Sequence, residues 1–175
     1  MINLKKLFDL VNKRRYEKKK KYILSAQDKL PTCIKDLMES YNLEIYLISD
    51  EKMQELINDT DVLGLYLNNE KQEIYINECQ SKDGLVNALY HELGHFIDKC
   101  IGDKLGKDDF NSKTDNTLLS CSNLEKEVFE FAYFQIDVSE FFAQVIAEFL
   151  KNNKYFLSLM PKTNDYLLEL FQCLA

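Results

Sequence analysis

No stretch of this 175-residue sequence is long and apolar enough to cross a membrane. Nor does an apolar run of signal-peptide type follow the basic start MINLKKLFDLVNKRRYEKKKKYIL. As written, the chain carries no secretory address, so a cytoplasmic location is expected; export through a missing leader, or delivery by a non-classical route, is the alternative. Five cysteines are present, at 33, 79, 100, 121 and 173. They are odd in number, widely spaced and without a CxxC pair, which fits reduced thiols better than a disulfide framework and argues against a cysteine-based zinc site. They read as reduced, buried small hydrophobes. Histidine is scarce: two residues, His91 and His95.

What is there suits one soluble globular domain of ordinary size. Net charge is −7, unevenly spread: residues 1–30 carry +7 and the remainder −14. An acidic body disfavours nucleic acid as a partner. The basic run from Lys13 to Lys21 is explained most simply as a solvated helix face, with an anionic membrane or an acidic partner as the lesser reading.

Leu4, Leu7, Phe8 and Val11 recur at helical spacing, predicting a basic amphipathic N-terminal helix over about 2–24 that packs on the body. It forms a segment 1–25 ahead of the main domain at 26–175. A second helix follows Pro31, to about Tyr41, with Ile34, Leu37 and Met38 inward. Residues 43–48 are rich in branched and aromatic side chains and predict a strand, and 51–58 a short helix. The runs 64–67 and 73–76 flank Asn68-Asn69-Glu70-Lys71, a hairpin signal. Helices then dominate, at 83–100 with Asp83 as a possible cap, and at about 118–130, 138–152 and 163–173. The polar run 102–117 predicts a long surface loop. Strands first and helices later make the class α+β, with a small, mostly antiparallel sheet ahead of a helical half.

Both histidines fall inside one motif, His91-Glu92-Leu93-Gly94-His95. Residues four apart share a helix face, so the two imidazoles can point at one ion. Glu92, one position on, cannot join them as a ligand but can reach the attacking water as general base. Two histidines placed at random would fall four apart roughly one time in a hundred. Leu85, Leu89, Phe96 and Ile97 make the helix a buried one, and Gly84 and Ala88 leave room on the histidine face. The bland alternative is a pair of satisfied core histidines.

A catalytic zinc takes three protein ligands and leaves one position open. With no third histidine, the third must be a carboxylate. Glu140 is preferred: it opens a helix whose Ala143 and Ala147 permit close approach to the HELGH helix. Glu125, Glu127 and Glu130 are rivals, and Glu140 could instead serve only the start of its own helix, alongside Asp137.

The segments ALYHELGHFID and SEFFAQVIAEFL resemble the catalytic domain of anthrax lethal factor and its relatives, which include the clostridial Pro-Pro endopeptidases. The similarity runs from about Pro31 onward, with specific motifs only from Ala88. The resemblance implies a zincin fold, one zinc ion per chain and Glu140 as third ligand. It also implies that Tyr133, seven residues earlier, assists catalysis, and that Met160-Pro161-Lys162-Thr163 is the family's closing segment. The family's second glutamate in the EFFAEAF-like segment is Gln144 here, a position expected to sit behind the ligands. The resemblance brings neither a delivery route nor a substrate.

The expected activity is that of a monomeric zinc endopeptidase, with Glu92 as base and Tyr133 stabilising the oxyanion. Its substrate would add as an extended strand to an exposed edge at 73–76, with Tyr75 facing opposite to Ile74 and Ile76. A regulatory peptidase cleaving one cytoplasmic repressor, and a non-catalytic binding module of peptidase fold, are the competing readings.

Overall fold

A computed structural model describes residues 4–59, 61–107, 109–130 and 137–174, with side chains from Asn12 to Gln172 within those ranges. Among them, no helix is long and apolar enough to cross a membrane. The class is α+β: a three-stranded sheet, and helices that cover one face of it and extend beyond.

The chain opens with helix α1, Leu4–Asp28, which passes the expected boundary at 25. Residues 12–18 are all exposed, and among the described side chains of the helix those of Ile23 and Ala26, near its end, are buried. Tyr90 donates a hydrogen bond to the Ala26 carbonyl at 3.1 Å, and the Lys19 ammonium donates to the carbonyl of Glu78. Helix α2, Thr32–Ser40, starts just after Pro31 and buries Ile34 and Leu37.

Strand β1, Glu44–Ile48, leads through helix α3, Asp50–Ile57, to the hairpin of β2, Gly64–Asn68, and β3, Gln72–Asn77. The strand order is β1-β3-β2. β3 runs parallel to β1 and antiparallel to β2, so the sheet is mixed rather than mostly antiparallel. The expectation of an exposed edge at 73–76 is also overturned, because β3 is the central strand with both edges paired. The hairpin signal was sound, but β1 returns to cover the edge that a lone hairpin would expose. Alternation along β3 follows the pleat. Ile74 and Ile76 are fully buried, while Tyr75 faces away from them and stacks on Tyr46 with ring centroids 5.1 Å apart.

The inner face of the sheet is covered by helix α4, Lys82–Lys104, through Leu85, Leu89, Leu93 and Phe96. Ser81, not Asp83, caps it: the Ser81 hydroxyl accepts the N–H of Gly84 at 3.2 Å. The polar stretch after α4 is not a free loop. α4 extends to Lys104, and a short 3-10 turn at Asn111–Lys113 folds back on it, burying Asn111 and Ser112. Fully buried Asp98 accepts the Ser112 N–H at 2.7 Å, and Gly102 lets the chain pass close: a Cβ there would lie 2.4 Å from the Asp109 carbonyl oxygen. Specific hydrogen bonds thus bury residues whose composition reads as surface.

Helix α5, Asn116–Glu125, is capped by Asp115 and continues into a 3-10 turn at Lys126–Val128. Then come α6, Val138–Leu150, α7, Lys154–Ser158, and α8, Pro161–Leu174. Cys33, Cys79, Cys100 and Cys121 are free thiols; Cys100 and Cys121 are buried as expected, whereas Cys79 is exposed.

α4 and α6 make the most extensive contact between helices. Its tightest point is Gly94, where a Cβ would lie 2.5 Å from the Ala143 Cα. Placing alanine for glycine inside a solvated helix normally adds about 1 kcal/mol of stability. Here the methyl group meets backbone, so Gly94→Ala is expected to destabilise by about 1–3 kcal/mol, as overpacking does. Urea unfolding measures the sign. A variant as stable as the parent would show that the helices are not in register contact at this point.

Candidate metal centre

α4 presents His91 and His95 one turn apart on a single face, their ring centroids 5.0 Å apart. Glu140 arrives from the first turn of α6. That turn is fixed by Asp137, whose carboxylate accepts both the Ser139 N–H and the Ser139 hydroxyl at 2.8 Å. Asp137 is thus the cap, and Glu140 is directed across to α4. Its Oε2 lies 3.0 Å from His91 Nε2 and its Oε1 3.3 Å from His95 Nε2. One ligand atom from each residue lies within 4.8 Å of the others, and the side chains are 12–15% exposed.

The group fits a zinc ion. Ligand atoms 2.0–2.2 Å from a tetrahedral zinc lie roughly 3.3 Å from one another, close to the two Glu140–histidine separations. Two imidazole nitrogens and one carboxylate are three donors, and a tetrahedral ion held by them would keep a fourth position open.

Glu92 turns the other way along the helix, towards β2, and is 7% exposed. The contact explains Gly64, since a Cβ there would lie 2.7 Å from Glu92 Oε1. Burial raises the Glu92 carboxyl to about 7, and neighbouring Glu140 pushes the same way. His91 and a hydrogen bond from the Tyr66 backbone oppose the rise. Such a group can take up and release a proton near neutrality. A divalent cation nearby would lower it again.

Two cavities open beside His91 and Glu92. One, about 330 Å³, is bounded by Val62, Gly64, Tyr66, His95, Phe110 and Glu140. The other, about 280 Å³, is bounded by Val62, Leu63, Asn87, Ala88 and Gln144. Val62, Gly64, Tyr66 and Phe110 are the residues that sequence reasoning missed. Only Gly64, a glycine at a strand start, carried a local signal. Phe110 lies 5.9 Å from the His95 ring because the Asp98–Ser112 bond holds its segment against α4.

The rival carboxylates lie elsewhere. Glu127 and Glu130 are exposed and outside the group. Buried Glu125 accepts the Lys162 and Thr163 N–H groups at 3.0 Å and the Thr163 hydroxyl at 2.6 Å. It therefore caps α8 and gives the segment 160–163 its place. Tyr133 lies outside the described residues. No protein-family model matches the chain, and no curated protein matches it significantly.

Glu140 and Glu125 should thus fail in different ways. Glu140→Ala is expected to lose most zinc affinity at little cost in stability. Glu125→Ala should keep the affinity and lose about 1–3 kcal/mol, since buried donors are left without an acceptor. Chelator competition and thermal unfolding on the two variants separate these outcomes; the reverse pattern would refute the assignment.

Proposed function

We propose that this chain is a zinc-dependent endopeptidase of zincin type. The observation that carries the reading is Glu140, whose two oxygens meet the two Nε2 atoms of HELGH beside a buried Glu92. His91, His95 and Glu140 would hold one zinc ion per chain. When bound, the ion supplies Lewis acidity and lowers the pKa of a water molecule.

The chain's own residues do the rest. Glu92, held between α4 and β2, accepts the proton of the attacking water and passes it to the leaving amine. Burial in a narrow cleft favours a base that changes protonation near neutral pH. Tyr133 enters from the resemblance alone, as the donor to the tetrahedral oxyanion. The substrate backbone would extend along β2, the edge strand that borders both cavities, rather than along β3. Side chains flanking the scissile bond would then enter the two cavities. The same geometry serves a peptidase of one dedicated regulatory substrate as well as a broader one.

Glu92→Gln keeps the shape of the side chain and removes the base. It is expected to hold zinc near the parental level and to lose nearly all peptide cleavage. Comparing cleaved protein termini between this variant and the parent identifies the substrate, and parental cleavage rates in the variant would sink the mechanism. Tyr133→Phe is expected to lower kcat roughly 100- to 1,000-fold with KM little changed. Steady-state kinetics within about threefold of the parent, below the smallest loss typical of such a donor, would remove Tyr133 from the mechanism.

A further inference from the structure

Gln144 lies between the candidate metal group and a buried carboxylate. Its Oε1 is 3.3 Å from His91 Nδ1, and its Nε2 donates to Glu148 Oε1 at 3.0 Å. Glu148 is 6% exposed. It also accepts from Lys151 Nζ at 2.6 Å and, through Oε2, from Asn153 Nδ2 at 2.7 Å. Lys151 Nζ reaches back to α4 and donates to Asn87 Oδ1 at 2.8 Å, one turn before His91. The circuit thus leaves α4 at His91 and returns to it at Asn87.

The hydrogens in this circuit run one way. Lys151 has only donors to offer. Asn153 uses its Oδ1 to accept the Phe156 N–H, which leaves its amide hydrogens for Glu148. The Glu148 oxygens therefore accept on every side, and Gln144 must turn its NH₂ group towards them. That leaves the Gln144 carbonyl oxygen, an acceptor only, facing His91. A hydrogen bond there requires the proton on His91 Nδ1, and in the neutral imidazole that tautomer leaves the Nε2 lone pair for an ion held between His91 and Glu140.

We propose that Gln144 and Glu148 are a positioning pair for the metal centre. Gln144 fixes the ring orientation and tautomer of His91, and Glu148 supplies the buried negative charge that polarises the amide. The inference rests on the metal-binding reading above. It also accounts for glutamine at 144. A glutamate there would set a second carboxylate about 3 Å from Glu148, at the cost of like-charge repulsion in a partly buried site. This chain keeps the charge one turn further along α6 and passes its effect through an amide. Partners behind a ligating histidine typically contribute 10- to 100-fold in metal affinity.

The test is zinc affinity by chelator competition on the full chain, with the melting temperature of each metal-free variant as control. Gln144→Ala leaves the Glu148 contacts to Lys151 and Asn153 in place and is expected to weaken zinc about 10- to 100-fold. Glu148→Gln should weaken it about tenfold. The exchange Gln144→Glu/Glu148→Gln restores an acceptor for His91 and a donor behind it. It should return the affinity to within about threefold of the parent, a rescue that a merely structural role would not produce. In the zinc-loaded protein, the imidazole N–H signal of His91 should be protected from solvent exchange, and lost from Gln144→Ala. Unchanged affinity in Gln144→Ala, or an exchange variant that binds no better than Glu148→Gln, overturns the pairing. A parent that binds no zinc overturns the peptidase reading and the pairing together. A parent that binds zinc, loses it in His91→Ala and ignores Gln144→Ala overturns the pairing alone.

Discussion

The near-contact of α4 and α6 at Gly94 and Ala143 sets the geometry on which the rest depends. His91 and His95 flank Gly94 on one helix, and Glu140 lies one turn before Ala143 on the other. The carboxylate reaches both imidazoles only because no Cβ stands between the backbones. A side chain at position 94 would push α6 outward and carry Glu140 away from the histidines. Gln144 and Glu148, on the same helix, would move with it. Helix–helix distance, more than any single side chain, therefore determines whether three scattered residues act as one group.

The sheet performs the matching task on the opposite side. β2 presents Gly64 and the Tyr66 backbone to Glu92, and the hairpin with β3 fixes their register. Ile74 and Ile76 of β3 anchor that hairpin in the core beneath α4. Glu92 is thus confined by a strand while its neighbours in sequence are confined by a helix. Adjacent residues of one turn receive opposite surroundings, one buried and raised towards neutrality, the others paired with a carboxylate.

Much of the site was legible because it is local. HELGH needs only the pitch of a helix to place its three candidate side chains, and Ala143 at helical spacing from Glu140 pointed to a close crossing. The choice among four glutamates was not local. Glu125 reads as plausible until its carboxylate is seen on the N–H groups of Lys162 and Thr163, 37 and 38 residues away. The sheet failed for a similar reason. A hairpin fixes two strands, but whether a third covers one edge depends on the return of β1. Polar composition misled at 102–117, where Asp98 buries Ser112 through a backbone hydrogen bond. In each case the missing information was a partner distant in sequence.

Glu140 and His91 are 49 residues apart, whereas the β2–β3 hairpin closes through a turn at 69–71. The short-range pairing can form early, but the candidate metal group exists only after α6 has docked on α4. An ion held there would bind the native state and have little hold on a folding transition state that precedes docking. Its binding free energy would then appear mainly as a slower rate of unfolding, with the folding rate little changed. For a chain whose described cysteines are all free thiols, such an ion would act as a kinetic clamp on the helical half, persisting for as long as α6 stays docked.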